Sequence, residues 1–599
     1  MAMPGQKSKD FKGTMLNLLR YVAEYRVRIA VVIMFAVGST VFGIVGPRIL
    51  GNVTTKLFEG MLAYFAGTGL LTDFKYIAER LLLLVGLYLT SVLFSYVQAI
   101  VMSGVSMGIT YRFRKDISEK MNRLPLSYYD KQSHGEVLSR ITNDVDTISN
   151  TLNQSLTQII TSVTMVLGII VMMLSISWLM TLVSLMVLPL SSLMIMAVVK
   201  RSQKHFRRQQ EYLGHLNGHV EETYTGHNLV QVFNREEDVT KTFSSYNEEL
   251  YKSAWKSQFL SGLMMPLMGF VGNLGYVVVC LLGGYLAVKS TLKVGDIQAF
   301  IQYTRSFMQP LSQIANISNI LQSTAAAAER VFEFLDEDEE PEESSEPVDR
   351  ASIQGHVRFE HVKFGYNPDK IIIHDFSTLV EPGKRVAIVG PTGAGKTTIV
   401  KLLMRFYDLN GGAIYVDGHN IANLRRGDLR GLFGMVLQDA WLYNASIMEN
   451  IRYGNFDKSD EDVVKAAKAA RCDEFIRQLA GGYDMIINEE AGNISQGQKQ
   501  LLTIARTFLA DPPVLILDEA TSSVDTRTEV LVQQAMGRLL RGRTSFIIAH
   551  RLSTIRDADV ILVMKDGDII EQGSHDELLA AKGFYADLYM SQFENRGDE

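Results

Sequence analysis

Apolar residues are spread unevenly along the chain, and their long runs all lie before residue 330. Five runs, at about 29–45, 81–105, 159–176, 179–199 and 263–288, are close to or longer than the roughly 20 residues that an α-helix needs to cross a bilayer. No run of this kind follows residue 330. The pattern therefore predicts an all-α membrane domain followed by a soluble domain.

A sixth run, at about 297–321, is apolar but interrupted by polar side chains. These are Gln298, Gln302, Arg305, Gln309, Gln313 and Asn316. Taken alone, the run fits a soluble amphipathic helix almost as well as a membrane span. However, it follows the fifth run closely, and polar groups in a bilayer are costly unless they face a cavity. We therefore expect six transmembrane helices, the last of which lines a water-filled path with its polar face.

Two long connections between these runs, at about 106–154 and 200–257, have helical patterns and are basic. Their basic residues include Arg112, Arg114, Lys115, Lys120, Arg123, Lys200, Arg201, Lys204, Arg207 and Arg208. Because lysine and arginine are enriched in cytoplasmic loops, we expect both connections and both termini in the cytoplasm. We expect no cleaved signal peptide. The helical pattern up to residue 26 fits a helix on the membrane surface or a plain soluble helix.

Composition narrows the class of protein further. The chain has 599 residues, 47% of them hydrophobic, and a net charge of -6, which is too mild to indicate nucleic-acid binding. Its two cysteines, Cys280 and Cys472, exclude a disulfide scaffold and fit a reducing compartment on at least one side. The acidic segment 335–347 predicts a solvated linker. We expect an N-terminal segment 1–26, a transmembrane domain 27–330, a linker 331–350 and a soluble domain 351–599.

The soluble part contains a phosphate-binding loop. The apolar strand Arg385–Val389 leads into a glycine-rich segment and then a helical pattern. Glycines at this spacing let backbone N–H groups surround phosphates at the positive end of a helix. Lys396 would reach the β- and γ-phosphates of ATP, and Thr397 would supply a hydroxyl to Mg²⁺. The sequence thus predicts an α/β domain that binds ATP through Gly390, Pro391, Thr392, Gly393, Ala394, Gly395, Lys396, Thr397 and Thr398.

An acidic pair, Asp518 and Glu519, follows a second apolar strand, Val514–Leu517. We expect this strand to lie adjacent to the strand before the phosphate loop. Asp518 would then lie near Mg²⁺, and Glu519 would polarise the water that attacks the γ-phosphate. Without a phosphate loop in the same chain, such a pair would usually be a surface turn.

Three single residues complete the candidate ATP site. Tyr366 precedes the phosphate loop and would stack on a base, although a lone tyrosine is more often packing. Gln438, in the motif VLQD, would bridge Mg²⁺ and the attacking water. His550 ends another apolar strand, where it would contact the γ-phosphate, although a lone histidine is usually structural. ATP and Mg²⁺ are therefore the expected cofactors.

Five motifs, in this order, resemble the nucleotide-binding domain of ATP-binding cassette (ABC) transporters: GPTGAGKTT, VLQD, ISQGQKQLLTIART, LILDEATSSVD and IIAHRLST. Residues 124–146 and 216–236 resemble the two cytoplasmic loops of ABC exporters. The resemblance, which covers nearly the whole chain, implies a half-transporter that works as a dimer. It also implies that Tyr366 stacks on adenine, that Asp525 lies in the D-loop, and that short coupling helices press on the ATPase domains.

The signature motif departs from the family's pattern. In that family each ATP lies between the phosphate loop of one domain and the LSGGQ signature of the other. Here the motif has Ile494 for leucine and Gln496 for glycine, and the resemblance implies that Ser495, Gln496, Gly497 and Gln498 face the partner's ATP. A glycine permits close backbone approach to a phosphate, so Gln496 should alter the fit. We therefore predict a heterodimer whose second site hydrolyses ATP slowly; an active homodimer is the alternative.

The resemblance implies ATP-driven export across the plasma membrane of a bacterium. The chain is similar to the hydrolysis-competent subunit of bacterial heterodimeric multidrug exporters such as EfrCD and LmrCD. The expected partners are a second half-transporter subunit, the lipid bilayer and an amphipathic small-molecule cargo, without nucleic acid. Met264, Met265 and Met268 suit an adaptable apolar wall, although packing is the commoner role. A homodimeric exporter of lipid or peptide, and an ATP-gated channel or regulator, are the alternatives.

Overall fold

The computed structural model describes residues 8–67, 73–289, 291–341, 349–367, 369–437, 440–488, 493–518, 526–548 and 555–593. The chain divides into two compact units. The helical unit contains the chain up to Met121 together with Gly135–Glu337. The sheet unit contains Asn122–His134 together with the chain from Asp338 onward.

The helical unit is built from long α-helices. The described α-helices up to residue 336 are α1 (Phe11–Val22), α2 (Arg26–Phe65), α3 (Phe74–Met121), α4 (Leu126–Lys131), α5 (His134–Ser139), α6 (Val145–Asn150), α7 (Thr157–Ile176), α8 (Trp178–Thr225), α9 (His227–Val232), α10 (Glu236–Gly262), α11 (Met264–Val288) and α12 (Val294–Asp336). Of these, the short helix α4 belongs to the sheet unit. Within the helical unit, the structure confirms the prediction of an all-α first domain.

Four described helical stretches are long and apolar enough to cross a membrane: Phe11–Phe65, Phe74–Met121, His134–Ile176 and Glu236–Val288. At most 28% of each apolar window is buried, so most of these side chains point outward, as expected of surfaces that face lipid or another chain. The predicted fourth and sixth spans lie in α8 and α12, which are helical but are not among those four. Six spans stay a prediction.

α2 and α12 cross in direct backbone contact. A Cβ atom on Gly295 would overlap the carbonyl oxygen of Gly51, and the backbone N–H of Gly295 donates to the Thr55 hydroxyl at 3.1 Å. Beside this crossing, Arg48 forms an ion pair with Asp296 at 2.7 Å. Close approach of two helices requires small residues at the contact, so these glycines fix where α12 starts relative to α2.

The linker starts later than the sequence predicts. α12 continues to Asp336, and Val331 and Phe334 are fully buried within the helical unit. Residues 331–336 are thus helical because their apolar side chains pack inside, and the boundary falls between Glu337 and Asp338. The described part of the acidic segment forms ion pairs. The Glu340 carboxylate accepts a hydrogen bond from the Arg430 guanidinium at 3.3 Å and lies 3.5 Å from that of Arg426.

The sheet unit contains two β-sheets. Four strands form an antiparallel sheet in the order β2-β1-β4-β5, and six form a sheet in the order β10-β9-β3-β8-β7-β6. The strands are β1 (Val357–Phe364), β2 (Ile373–Val380), β3 (Arg385–Val389), β4 (Gly411–Val416), β5 (His419–Asn420), β6 (Phe433–Val436), β7 (Val514–Asp518), β8 (Thr544–Ile548), β9 (Val560–Lys565) and β10 (Asp568–Gly573).

Helices flank these sheets in the described part of the unit. They are α13 (Lys396–Leu403), α14 (Arg426–Gly431), α15 (Ile447–Arg452), α16 (Asp460–Ala469), α17 (Asp473–Gln478), α18 (Gln496–Ala510), α19 (Thr526–Leu539), α20 (His575–Ala581) and α21 (Phe584–Phe593). β3, β6, β7, β8 and β9 are parallel, and their near-continuous apolar runs suit burial on both faces. The α/β fold expected of the soluble domain is confirmed.

The strand order corrects one expectation. β7, which carries Asp518, was expected beside β3, but β8 lies between them and pairs in parallel with both. All three strands are short apolar runs of equal length, so the sequence does not encode which of them is central. The carboxyl ends of parallel strands share one edge of a sheet, and this is where ligands bind in α/β folds.

Candidate nucleotide site

The phosphate loop has the backbone shape that its glycines predict. Gly390, Gly393 and Gly395 have φ angles of 154°, 87° and 98°, a region that side chains of L-residues rarely adopt. A Cβ atom on Gly390 would also overlap the carbonyl oxygen of Met564. Gly395 is the N-cap of α13, so the loop leads directly into a helix whose first N–H groups are available to an anion.

Lys396 lies over the loop. Its Nζ donates to the carbonyl oxygens of Gly390 at 2.7 Å and Pro391 at 3.0 Å. Burial lowers the pKa of Lys396, while the nearby Asp518 carboxylate acts in the opposite direction. A phosphate placed in the loop would favour the charged ammonium. The lysine is therefore held where the predicted phosphates would lie, in a partly desolvated position that strengthens its interaction with them.

Two oxygen groups suited to Mg²⁺ accompany this lysine. Thr397, the second residue of α13, is exposed, and Asp518 ends β7 close enough to influence Lys396 electrostatically. A hydroxyl and a carboxylate are ligands that Mg²⁺ takes together with substrate phosphates. The described residues therefore fit Mg²⁺ with a nucleotide triphosphate, as predicted, and Thr397 and Asp518 are the residues that would hold it.

Tyr366 combines the two roles that the sequence left open. Its ring packs edge-on against Phe364, at 5.1 Å between centroids, and against Tyr407, at 5.0 Å. Its hydroxyl lies 3.3 Å from the hydroxyl of Thr398 on α13, and the residue is still 41% exposed. The packing fixes the ring beside the phosphate loop and leaves surface for a base, so adenine stacking remains a prediction that this geometry fits.

Four predicted site residues, Gln438, Glu519, Asp525 and His550, lie outside the described residues. The strands before three of them are described. β6 ends at Val436, β7 at Asp518 and β8 at Ile548, and these parallel strands end at the edge where β3 leads into the phosphate loop. The topology therefore brings the three strand ends to the candidate site, while the side-chain roles stay predictions.

The signature segment lies at the start of α18. Ser495 is its N-cap: its hydroxyl accepts from the N–H of Gln498 at 3.3 Å, and its own N–H donates to the Gln498 side chain at 2.9 Å. Ile494 is 7% exposed and packs in the apolar core, whereas Gln496 is exposed. Of the two departures from LSGGQ, only Gln496 lies on the surface where a partner's nucleotide is expected.

Sequence reasoning missed a set of contacts beside Tyr366. α4 belongs to the sheet unit, and its residue Asp130 accepts hydrogen bonds from Lys401, at 3.1 Å, and from the Tyr407 hydroxyl. Burial opposes the charged form of Asp130, but these two hydrogen bonds outweigh it and lower the pKa of its carboxyl. A coupling helix was expected in this loop, but nothing in the sequence indicated Lys401 or Tyr407 as its partners.

Comparisons with known proteins agree with this geometry. A family model described as ABC transporter transmembrane region matches residues 29–311, and one described as ABC transporter matches residues 373–522. The chain is 45% identical to the fatty acid ABC transporter ATP-binding/permease protein of Mycobacterium bovis, over 97% of each chain. It is 42% identical to the uncharacterized ABC transporter ATP-binding protein YfiC of Bacillus subtilis, over 98% of this chain and 96% of YfiC.

A solved structure shares the architecture. A bacterial Atm1-family ABC exporter with ATP bound superposes with a TM-score of 0.72 at 29% identity, over 95% of this chain and 99% of that one. The candidate site of this chain therefore has the fold of a protein that was solved with ATP bound.

Proposed function

Because this chain belongs to the ABC transporter family, and joins an exporter transmembrane region to a nucleotide-binding ATPase domain, we propose that it is one subunit of a heterodimeric exporter of amphipathic, lipid-type molecules. The single observation that carries the heterodimer is the surface position of Gln496 at the start of α18. We place the assembly in the plasma membrane, with both chain termini in the cytoplasm.

Each residue of the nucleotide site has a proposed role. The N–H groups of the phosphate loop and Lys396 hold the phosphates, and Thr397 and Asp518 hold Mg²⁺. Tyr366 packs against adenine. Glu519 takes a proton from the attacking water, assisted by Gln438 and His550; the bound nucleotide supplies the phosphoanhydride bond whose hydrolysis releases energy for transport.

The heterodimer follows from the division of this site between two chains. In this chain the phosphate loop, Lys396 and Asp518 are intact, whereas the segment that covers the partner's nucleotide carries Gln496. In a homodimer both nucleotides would be covered by this altered segment. In a heterodimer an unaltered partner segment would cover the nucleotide held by Lys396, which leaves one fast site and one slow site.

Expression of the chain alone and together with a candidate partner subunit tests this proposal. We expect the chain alone to hydrolyse ATP slowly, and a one-to-one complex to hydrolyse it faster. Glu519→Gln in this chain should abolish most of the activity of the complex, because it removes the base of the fast site. Fast turnover by the chain alone would show a homodimer with two equal sites.

The cargo class rests on the similarity of this chain to the fatty acid ABC transporter of Mycobacterium bovis. The sequence predicts an amphipathic cargo, and this similarity favours single-chain lipids over a broad multidrug range. The polar face of α12 supports an amphipathic cargo: Gln309 and Gln313 line a cavity of about 330 Å³ with Thr161 and Ser162, and Ser162 donates to Gln313 at 2.8 Å. ATP-dependent movement of labelled palmitate in proteoliposomes tests the class.

A further inference from the structure

A second cavity in the helical unit has a different character. It measures about 260 Å³ and lies among α8, α11 and α12, close to the lower end of the roughly 300–1,000 Å³ that small-molecule sites occupy. Its walls are mainly apolar, formed by Met173, Leu185, Met268, Val279, Ile301 and Phe307. An alkyl chain that enters this cavity would lose its contact with water and gain close contacts with these side chains.

One cation, Arg305, lines this apolar cavity. Its guanidinium lies over the Tyr276 ring, 5.3 Å from the ring centre, and among the described residues no carboxylate lies within ion-pair distance of it. The other arginine of α12, Arg330, pairs with Asp144 at 2.9 Å. Arg305 is exposed, so its guanidinium is accessible to a ligand in the cavity. Because charged side chains in a membrane domain are normally paired or face water, an anionic ligand group would give this cation a partner.

A second group in the cavity also lacks a partner. The hydroxyl of Ser184 is buried, with the residue 8% exposed, and it has no hydrogen-bond partner among the described residues. By contrast, the hydroxyl of Thr304 in the same wall donates to the carbonyl oxygen of Phe300 at 2.9 Å. Buried hydroxyls are normally satisfied, and a ligand oxygen would satisfy this one.

We propose that this cavity binds the head group of a single-chain amphipathic carboxylate, with the carboxylate on Arg305 and the start of the alkyl chain on the apolar wall. The inference rests on the proposed lipid-type function and deepens it. A guanidinium matches a carboxylate with two parallel hydrogen bonds, and one positive charge balances one negative charge. A doubly charged head group would remain unbalanced here.

The test uses the assembled transporter in nanodiscs, without nucleotide, and a palmitate analogue with a photoreactive group on its alkyl chain. Unlabelled palmitate and hexadecanol, which has a similar chain but no charge, compete for the labelled site. Arg305→Gln should weaken competition by palmitate at least about tenfold, the loss expected for a charged hydrogen-bond partner, and leave hexadecanol unchanged. Arg305→Lys keeps the charge but loses the two parallel hydrogen bonds, so it should weaken competition by palmitate less than Arg305→Gln does.

Arg80→Gln is the matched control. Arg80 also lies over a tyrosine ring, that of Tyr76 at 5.1 Å, but it is outside this cavity. The substitution should leave both competitors unchanged. Thermal unfolding and ATP binding that match the wild type confirm that each variant is folded.

The outcomes separate this inference from the proposed function. If wild type transports palmitate and Arg305→Gln binds it equally well, the head-group site is refuted while the cargo class stands. Equal weakening of palmitate and hexadecanol would also refute the charge recognition. If wild type neither binds nor moves palmitate although it hydrolyses ATP, the lipid-type cargo fails together with this site.

Discussion

At the scale of single residues, burial separates two substitutions that look equivalent in the sequence. Ile494 and Gln496 both depart from LSGGQ, but Ile494 packs in the core and Gln496 is exposed at the first position of α18. Exchange of one buried aliphatic residue for another of equal volume is usually tolerated. The functional consequence of the altered signature should therefore come from Gln496 alone.

Gln496→Gly tests this assignment. We expect the rate of ATP hydrolysis by the complex to increase roughly twofold, because two sites would turn over instead of one. Ile494→Leu restores the other departed position and is the matched control, with no expected change in hydrolysis. A rise with Ile494→Leu, or none with Gln496→Gly, would contradict the assignment. Steady-state ATPase assays of the purified complex provide the measurement.

At the scale of elements, the local motifs were predictable and the contacts between distant elements were not. The strand, loop and helix around Lys396 could be predicted because glycine spacing and an apolar run specify them locally. The contact between Lys401 and Asp130 joins residues separated by 271 positions, and no local pattern encodes it. The position of β8 between β3 and β7 was missed for the same reason, because strand order depends on packing of the whole sheet.

The contact of α4 leads to a prediction about coupling. Asp130→Asn removes the negative charge of the carboxylate to which Lys401 and Tyr407 donate hydrogen bonds, next to the ring of Tyr366. We expect ATP affinity to be unchanged and hydrolysis to fall by roughly two- to thirtyfold, the range of coupling changes for such positions. Stability should change little, because Asp130 is 44% exposed at its side chain and exposed ion pairs contribute little.

A matched control for Asp130→Asn lies on β1. Glu360 pairs with Arg358 at 3.0 Å and has a side-chain exposure of 42%, so Glu360→Gln removes a similar exposed ion pair away from α4. Binding of a fluorescent ATP analogue and ATPase activity are measured for both variants. Equal hydrolysis by both variants would mean that the Asp130 contact is structural only.

At the scale of the whole molecule, the two units differ in how much of each could be predicted from the sequence. In the sheet unit Lys396, Thr397 and Asp518 occupy the elements that the motifs predict. Their roles in binding and hydrolysis stay predictions. In the helical unit the sequence predicted that α12 lines a path with its polar face, but not which residues of the other helices lie around Arg305, because these come from α7, α8 and α11. The lining of this cavity thus depends on the assembly of several helices, whereas the phosphate loop is specified within one short segment.

An asymmetric assembly makes a quantitative prediction about the whole transporter. Vanadate with Mg²⁺ and ATP traps nucleotide only at sites that have completed hydrolysis, so the complex should trap a single nucleotide, held by this chain's phosphate loop. Lys396→Ala in this chain should abolish trapping, because it removes the ammonium that binds the phosphates. The equivalent lysine substitution in the partner should reduce trapping far less. Equal trapping on both subunits would show two equivalent sites and refute the proposed asymmetry. It would mean that Gln496 does not slow hydrolysis of the nucleotide that it covers.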